Sequence, residues 1–154
     1  MTPAVRLLEQ AGVAYQLHSY EHDADCTDFG LEASQKLGVD PSRMFKTLVV
    51  RSDAGALAMV LVSVQDKVDL KKLAHALGCK KADLADPTLA EKTTGYVVGG
   101  ISPLGGRKQL PAFIDQSIGQ HPTVYLSAGK RGLQLELSSD DLIKLTNATV
   151  LALV

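Results

Sequence analysis

The chain has 154 residues, 45% of them hydrophobic, so it is long enough to bury a core, and its length predicts one domain spanning residues 1–154. The formal net charge of −1 argues against a protein that binds nucleic acid through its overall charge. No apolar run reaches the ~20 residues of a membrane span, so no membrane partner is expected. Arg6 and Glu9 interrupt the apolar residues near the N-terminus, which argues against a signal segment and favours the cytoplasm. Cys26 and Cys79 are too few for a disulfide framework.

The first half of the chain alternates between short helices and strands. Thr2 and Pro3 are residues expected at the cap and first position of a helix, and Gly12 is expected to end it. The pattern then predicts a strand at 13–20, a polar loop at 21–28, a helix at 30–37, a helical turn at 40–44, strands at 45–51 and 57–64 joined as a hairpin, and a helix at 70–77.

The second half contains more strands than helices. The pattern predicts a short strand at 81–85, a helix from 86 to about 93, a buried strand in the first half of 93–106, strands at 112–117 and 123–127, a tight turn at 128–132, a strand at 133–137, a helix at 139–146 and a strand at 149–154. The prediction is therefore an α/β (α+β) fold, a mixed and strongly curved sheet or small barrel of about seven strands flanked by about five helices. The strands occur too often in pairs for a doubly wound nucleotide-binding fold.

The glycine-rich segment 93–106 (TTGYVVGGISPLGG) stands out from the rest of the chain. The pair Gly99-Gly100 has no side chains to pack, which weakens a strand. Such a pair indicates a bulge, a sharp bend, or close approach by another backbone or a ligand. A purely structural bulge and a glycine-lined pocket both fit this pattern.

Lys46 is the first candidate for chemistry, because it begins an otherwise apolar strand. Its side chain either extends to solvent or points into a pocket, where it would be a compact cation for phosphate or a carbonyl oxygen. Thr47 and Ser127 could supply hydroxyl groups to the same pocket, although Ser127 is equally expected as a turn residue. Four pairs of basic residues fit either ordinary solvated surface or a local basic rim: Lys71-Lys72, Lys80-Lys81, Arg107-Lys108 and Lys130-Arg131.

Several common catalytic and cofactor patterns are missing from the sequence. The four histidines lack the spacing of a metal site, and no serine lies in a G-x-S-x-G motif. No Walker loop or G-x-G-x-x-G pattern stands between a strand and a helix. We therefore predict no metal and no cofactor.

Five motifs, in order along nearly the whole chain, resemble the YbaK-type aminoacyl-tRNA deacylases. They are Thr2-Pro3-Ala4, His18-x-Tyr20-x-His22-Asp23, Phe45-Lys46-Thr47-Leu48, Thr94-Gly95-Tyr96-x-Val98-Gly99-Gly100-Ile101-Ser102-Pro103-Leu104-Gly105, and Gly129-Lys130-Arg131-Gly132-Leu133. The Gly-Gly-Ile-Ser-Pro-Leu-Gly run is specific to this family, whereas Phe-Lys-Thr alone is not. The family is related to the editing domain of bacterial prolyl-tRNA synthetase.

The resemblance implies a free-standing editor that removes cysteine from Cys-tRNA(Pro), and also from Cys-tRNA(Cys). It implies that Lys46 holds the 3′-terminal adenosine phosphate and orients the ester, and that Gly99 and Gly100 present backbone groups to the substrate. The substrate-binding residues it implies are Tyr20, Phe29, Thr47, Ile101, Ser102, Ser127 and Gly129. It further suggests that the thiol of the attached cysteine attacks its own ester. Prolyl-tRNA synthetase is an expected partner.

Two positions depart from the family pattern. Members often carry glycine where Ala128 stands, and some carry aspartate where Gln134 stands. Glu136 shares a strand face with Gln134 but lies about 6–7 Å further along, so the role of a carboxylate there stays open. Two alternative functions also stay open: a non-catalytic module that binds tRNA or nucleotide ends, and a deacylase for another mischarged tRNA such as Ala-tRNA(Pro).

Overall fold

The computed structural model describes residues 1–154 as a mixed α/β fold with five α-helices and eight strands in two sheets. The helices are α1 (Pro3–Ala11), α2 (Phe29–Leu37), α3 (Leu70–Leu77), α4 (Pro87–Thr94) and α5 (Ser139–Thr146). The strands are β1 (Tyr15–Ser19), β2 (Phe45–Ser52), β3 (Leu57–Ser63), β4 (Ala82–Leu84), β5 (Ala112–Asp115), β6 (Thr123–Lys130), β7 (Leu133–Ser138) and β8 (Thr149–Leu151). The predicted fold class is confirmed. No helix combines the length and apolar character needed to cross a bilayer.

Local sequence determines where the helices begin and end. The Thr2 hydroxyl accepts a hydrogen bond from the Val5 N–H, and the Asp69 carboxylate caps α3 in the same way. Four helices end at a glycine in the left-handed conformation, and α5 ends at Asn147, whose φ is 51°. These boundaries agree with the sequence prediction because capping depends on residues that are close in the chain.

The strands form two open sheets instead of a closed barrel. One sheet has the order β4-β2-β3-β5-β8, and the other has the order β1-β7-β6. Strand β2 pairs antiparallel with β3, while β3 with β5 and β5 with β8 are parallel. A single bridge between Met44 and Tyr125 joins the sheets next to the start of β2. The first residues of β2 therefore lie where the two sheets meet.

The core explains why β2 is held so firmly at this junction. The largest apolar cluster lies between the two sheets under α1 and α5, and it includes Leu8, Phe45, Leu126 and Leu142, all of them buried. Phe45 is the first residue of β2, so the residue beside Lys46 is anchored in the core. Full burial of each such side chain contributes about 1.5–3 kcal/mol.

The glycine-rich segment 95–106 contains no strand, so that part of the sequence prediction is wrong. The Gly100 N–H donates to the Val97 carbonyl at 2.8 Å, and the Val98 N–H donates to the Glu91 carboxylate at 2.8 Å. Gly99 has a φ of +90°. These local bonds satisfy the backbone without a strand ladder, while Tyr96 and other apolar side chains of the segment pack into a second buried cluster.

Several strand boundaries also differ from the prediction, since β1 covers Tyr15–Ser19 and not 13–20, and β8 covers Thr149–Leu151 and not 149–154. Strand β6 continues to Lys130 through a register shift after Ser127, so the turn predicted at 128–132 is confined to the residues between β6 and β7. Strand β5 ends at Asp115, which caps a 3₁₀ turn at Gln116–Gln120.

We predict that Asp115→Ala lowers the free energy of unfolding by about 2–3 kcal/mol, because its buried carboxylate accepts bonds from the Ser117 and Leu153 N–H groups. Burial by itself would raise the pKa of Asp115, but these hydrogen bonds outweigh it and lower the pKa. At a pH above ~3.9, the pKa of this carboxyl group in the unfolded chain, the ionised carboxylate contributes its full stabilisation. That stabilisation is lost as the pH falls through the lower pKa that the group has in the folded protein.

Urea denaturation at pH 7 and at pH 3 measures this effect. The exposed Asp25→Ala variant is the control and should change stability by less than ~0.5 kcal/mol. If Asp115→Ala is as stable as the wild type at pH 7, the buried carboxylate does not tie β5 to the C-terminus.

Candidate active site

A cavity of about 330 Å³ lies beside the exposed edge of β2. Strand β4 pairs with β2 only opposite Val50, Arg51 and Ser52, so residues 46–48 have no strand partner on that edge. Those residues line the cavity, together with the start of α2 and the glycine-rich segment. An unpaired strand edge presents backbone N–H and C=O groups, which are available to a ligand.

Lys46 lies on the wall of this cavity and does not extend into bulk solvent. Its side chain is half-buried, and Nζ donates to the Asp66 carbonyl at 2.7 Å. The pKa of Lys46 is lowered, chiefly because burial disfavours the charged amine. The nearby carboxylates of Asp28 and Asp66 oppose this shift, whereas the positive charge of Lys67 adds to it. The site thus contains a partly desolvated amine that is held in place by one carbonyl.

Phe29 and Gly99 form the opposite wall in close contact. A β-carbon built on Gly99 would lie 2.8 Å from the Phe29 ring. The Arg131 guanidinium stacks on the same ring at 4.6 Å from its centroid, and Arg131 Nε donates to the Val98 carbonyl at 2.9 Å. Arg131 therefore ties the glycine turn to Phe29, and this role was not predicted from the sequence.

A hydrogen bond between His22 and the buried Glu32 carboxylate lies next to Phe29. The His22 ring lies 5.6 Å from the Phe29 ring, and His22 Nδ1 contacts the Glu32 carboxylate at 2.6 Å. Burial by itself would raise the pKa of Glu32, but the hydrogen bonds from His22 and from the Asp23 N–H, with the charge of Lys36, outweigh it and lower the pKa. The polar loop before α2 is thus held against the pocket wall.

Ser127 connects the glycine turn to β6. Its hydroxyl donates to the Gly100 carbonyl at 2.9 Å and accepts from the Gly129 N–H at 3.1 Å. A β-carbon on Gly100 would lie 2.7 Å from the Lys130 Cα, so the two backbones are in direct contact. Ser127 lines the cavity, whereas Gly100 and Gly129 lie behind it as support.

Two buried oxygens in the cavity wall have no hydrogen-bond partner, namely Thr47 Oγ1 and Gln134 Oε1. Gln134 is only 6% exposed, and it pairs across the sheet with Ser127 and His18. Buried acceptors without partners are uncommon and costly, which makes both oxygens candidates for binding donors of a ligand. The sequence identified Gln134 only as a departure from the family pattern. Whether its side chain faces the pocket depends on how β7 pairs with its neighbouring strands, which the sequence does not reveal.

The structure brings six of the ten predicted site residues into the cavity wall. They are Phe29, Lys46, Thr47, Gly99, Ile101 and Ser127. Tyr20 and Ser102 do not line it. Tyr20 packs in the small cluster around Met44 and donates its backbone N–H to the Gly132 carbonyl, and burial raises the pKa of its hydroxyl. Ser102 is 1% exposed, and its hydroxyl accepts from the Leu104 N–H, because the segment turns away from the cavity after Ile101.

Comparison with known proteins shows which family this chain resembles. The sequence model of the aminoacyl-tRNA editing domain matches residues 26–145. The chain is 36% identical to EbsC of Enterococcus faecalis, a proposed Cys-tRNA(Pro)/Cys-tRNA(Cys) deacylase, over 95% of this chain and 88% of EbsC. It is 34% identical to the proline–tRNA ligase of Moorella thermoacetica, over 64% of this chain and 17% of the ligase.

A solved structure shows the same fold. The crystal structure of a proposed trans-editing enzyme for prolyl-tRNA synthetase has a TM-score of 0.85 and 26% identity, covering 99% of this chain and 98% of the other. The chain therefore belongs to the aminoacyl-tRNA editing domain family, as its motifs predicted. Within that family it matches EbsC along nearly its whole length, whereas it corresponds to a small part of the ligase.

We predict that Gly99→Ala lowers the melting temperature by several degrees and distorts the pocket, because alanine is strained at this φ and would clash with Phe29. Gly119→Ala is the matched control, since a β-carbon there meets nothing within 4 Å. Differential scanning fluorimetry with the Phe29 ring signals in NMR measures both effects. Unchanged melting and unchanged Phe29 signals in Gly99→Ala would contradict close packing at this turn.

Proposed function

We propose that this protein is a free-standing aminoacyl-tRNA deacylase that removes cysteine from Cys-tRNA(Pro), and also from Cys-tRNA(Cys). The observation that carries the proposal is a pocket in which Lys46, the Gly99 turn and the free edge of β2 converge, in a chain of the aminoacyl-tRNA editing family. Similarity to EbsC over nearly the whole chain supports the cysteine substrate. Such an editor would act in the cytoplasm, where aminoacyl-tRNAs are used, and prolyl-tRNA synthetase is the proposed partner.

Lys46 is the proposed anchor for the 3′-terminal adenosine. Its ammonium group is a compact donor that can hold a phosphate oxygen or the developing charge on the ester carbonyl. The backbone of residues 46–48 has no strand partner on the cavity side, so it can bind the ribose and the ester along the same edge. Phe29 and the Gly99 turn would close the opposite side of the substrate.

The aminoacyl group would lie against the two unpartnered oxygens. Thr47 Oγ1 and Gln134 Oε1 can accept hydrogen bonds, and the α-ammonium of the aminoacyl group has three donors to offer. Satisfying buried acceptors that otherwise have no partner makes binding more favourable. In this proposal the amide of Gln134 takes the place that an aspartate has in some relatives.

The proposed nucleophile belongs to the substrate. No cysteine or histidine lines the cavity, and the Cys26 Sγ contacts the Asp28 carbonyl in the polar loop. The thiolate of the attached cysteine would attack its own carbonyl carbon, forming the C–S bond. Cleavage of the ester C–O bond would then release a four-membered thiolactone and the 3′-oxygen of the tRNA as an alkoxide, which takes up the proton lost by the thiol and becomes the 3′-hydroxyl. Tethering removes the bimolecular encounter, although ring strain offsets part of that advantage.

We predict that Lys46→Ala reduces kcat/KM for Cys-tRNA(Pro) by about 10- to 150-fold, the equivalent of losing a charged hydrogen bond of ~1.5–3 kcal/mol. Lys46→Arg should also be impaired, because the planar guanidinium group of arginine does not replace the compact ammonium group of lysine. Exposed Lys144→Ala on α5 is the control and should retain wild-type kinetics. Full activity of a folded Lys46→Ala protein would remove Lys46 from the site.

A second prediction tests the attacking group. A variant with both Cys26→Ser and Cys79→Ser should retain near wild-type activity, whereas Ser-tRNA(Pro) should be cleaved far more slowly than Cys-tRNA(Pro). A free thiol with a pKa of ~8.5 is a few per cent thiolate at pH 7, while a hydroxyl is a weak nucleophile there. Equal rates on the two esters would show that water or a protein group attacks.

The same panel of substrates separates the alternative functions. Preferred cleavage of Ala-tRNA(Pro), which has no thiol, would identify a different editing specificity. Binding of Cys-tRNA(Pro) without any acceleration of ester loss would identify a non-catalytic tRNA-end module.

A further inference from the structure

A second, open groove of about 480 Å³ lies between α3 and the paired ends of β2 and β4. Its lining is polar and rich in cations. The basic residues are Arg51, Lys71, Lys80 and Lys81, and all four are exposed. The groove shares a single residue with the candidate active site, namely Leu84, which lines both.

The four cations have no ion-pair partner in the fold. The basic side chains that do contact carboxylates are His18, His22, Lys36 and Arg43, all of them elsewhere. Two carboxylates also line the groove, Asp53 and Asp83, so its formal charge is four minus two, or +2. Asp83 already accepts a hydrogen bond from the Leu84 N–H. The groove is therefore locally positive on a chain whose net charge is −1.

The groove adjoins the active-site cavity at Leu84, which lines both. Leu84 is 54% exposed and forms the ridge between them. Lys46 and Arg51 lie on the same strand five residues apart, which is about 17 Å at ~3.4 Å per residue. A chain of phosphates that ends in the cavity and leaves it past Leu84 would reach this groove.

We propose that this basic groove binds the phosphate backbone of the acceptor stem of the same tRNA whose aminoacyl ester occupies the cavity. The inference rests on the proposed function, and it adds the surface that selects a full tRNA over a short ester. Exposed lysines supply mobile point charges that suit successive phosphates and carry no base specificity. A nearly neutral protein needs such a local surface, because its overall charge does not attract a polyanion.

Two substrates test the groove separately from the cavity. One is full-length Cys-tRNA(Pro), and the other is the cysteine ester of AMP, whose single phosphate belongs to the nucleotide in the cavity, so that none is left for the groove. The variant is Lys80→Gln/Lys81→Gln, and the matched control is Arg6→Gln/Lys144→Gln, which removes two exposed charges from α1 and α5. Both double variants change the net charge equally.

The groove variant should raise KM for the full tRNA about tenfold, leave kcat unchanged, and leave cleavage of the AMP ester unchanged. The affinity of the variant for tRNA should also depend less steeply on salt. The slope of the logarithm of the binding constant against the logarithm of the salt concentration should be smaller by ~0.7–0.9 for each phosphate that the variant no longer neutralises. The control should match the wild type on both substrates. An unchanged KM for the tRNA, or an equal loss on both substrates, would overturn the groove proposal.

Binding of uncharged tRNA(Pro), measured by fluorescence anisotropy, separates this proposal from the proposed function. If the wild type cleaves neither ester, the deacylase proposal fails, yet a loss of tRNA affinity confined to the groove variant still supports the groove. If the variant binds tRNA like the wild type but no longer binds prolyl-tRNA synthetase, the groove docks a protein and the proposal is wrong.

Discussion

The site depends on one close approach between backbones, where the glycine turn meets β6. A β-carbon on Gly100 would overlap Lys130, and one on Gly99 would overlap Phe29, so only glycine allows these three segments to meet. The Ser127 hydroxyl and the Arg131 side chain then hold the turn from two sides. Without that close approach the cavity would have no wall opposite Lys46.

Strand β2 links the core to both functional surfaces. Its first residue is buried between the two sheets. Its next three residues pair with β3 on one edge and leave the other edge open to the cavity, and its far end pairs with β4 beside the basic groove. The short length of β4 is therefore important, because a longer strand would cover the edge that the proposed substrate needs. A rigid strand also fixes the spacing between ester and phosphate sites, which a loop would not do.

Local features of the fold could be predicted from the sequence, whereas features that depend on distant contacts could not. Helix ends followed from caps such as Thr2 and from glycines that stop each helix, since both act within a few residues. The glycine-rich segment has strand-like composition, but its donors bond to Glu91 and Val97, and that outcome depends on how α4 packs. The sequence left open whether the strands form an open sheet or a small barrel, because strand composition does not specify whether a sheet closes, and the structure has two open sheets.

The same distinction applies to the candidate site. Lys46 and the glycine pair were identified from motifs, but Ser102 faces another cavity, and Tyr20 packs in the cluster around Met44 without lining the pocket itself. Gln134 and Arg131 reach the site through the register of β7 and the turn before it, which no periodicity in the sequence reveals. Sequence thus identified the segments that meet, and the structure identified which of their side chains face the cavity.

The proposed role of the cavity between Lys46 and the Gly99 turn is to bind the aminoacylated 3′ end of tRNA. A crystal structure with a stable analogue, adenosine that carries cysteine through a 3′-amide, would show whether it does. We expect the adenosine to contact Lys46, the aminoacyl group to lie near Thr47 and Gln134, and the thiol to be within reach of the carbonyl carbon. Binding of the analogue at another surface, with this cavity empty, would contradict that role.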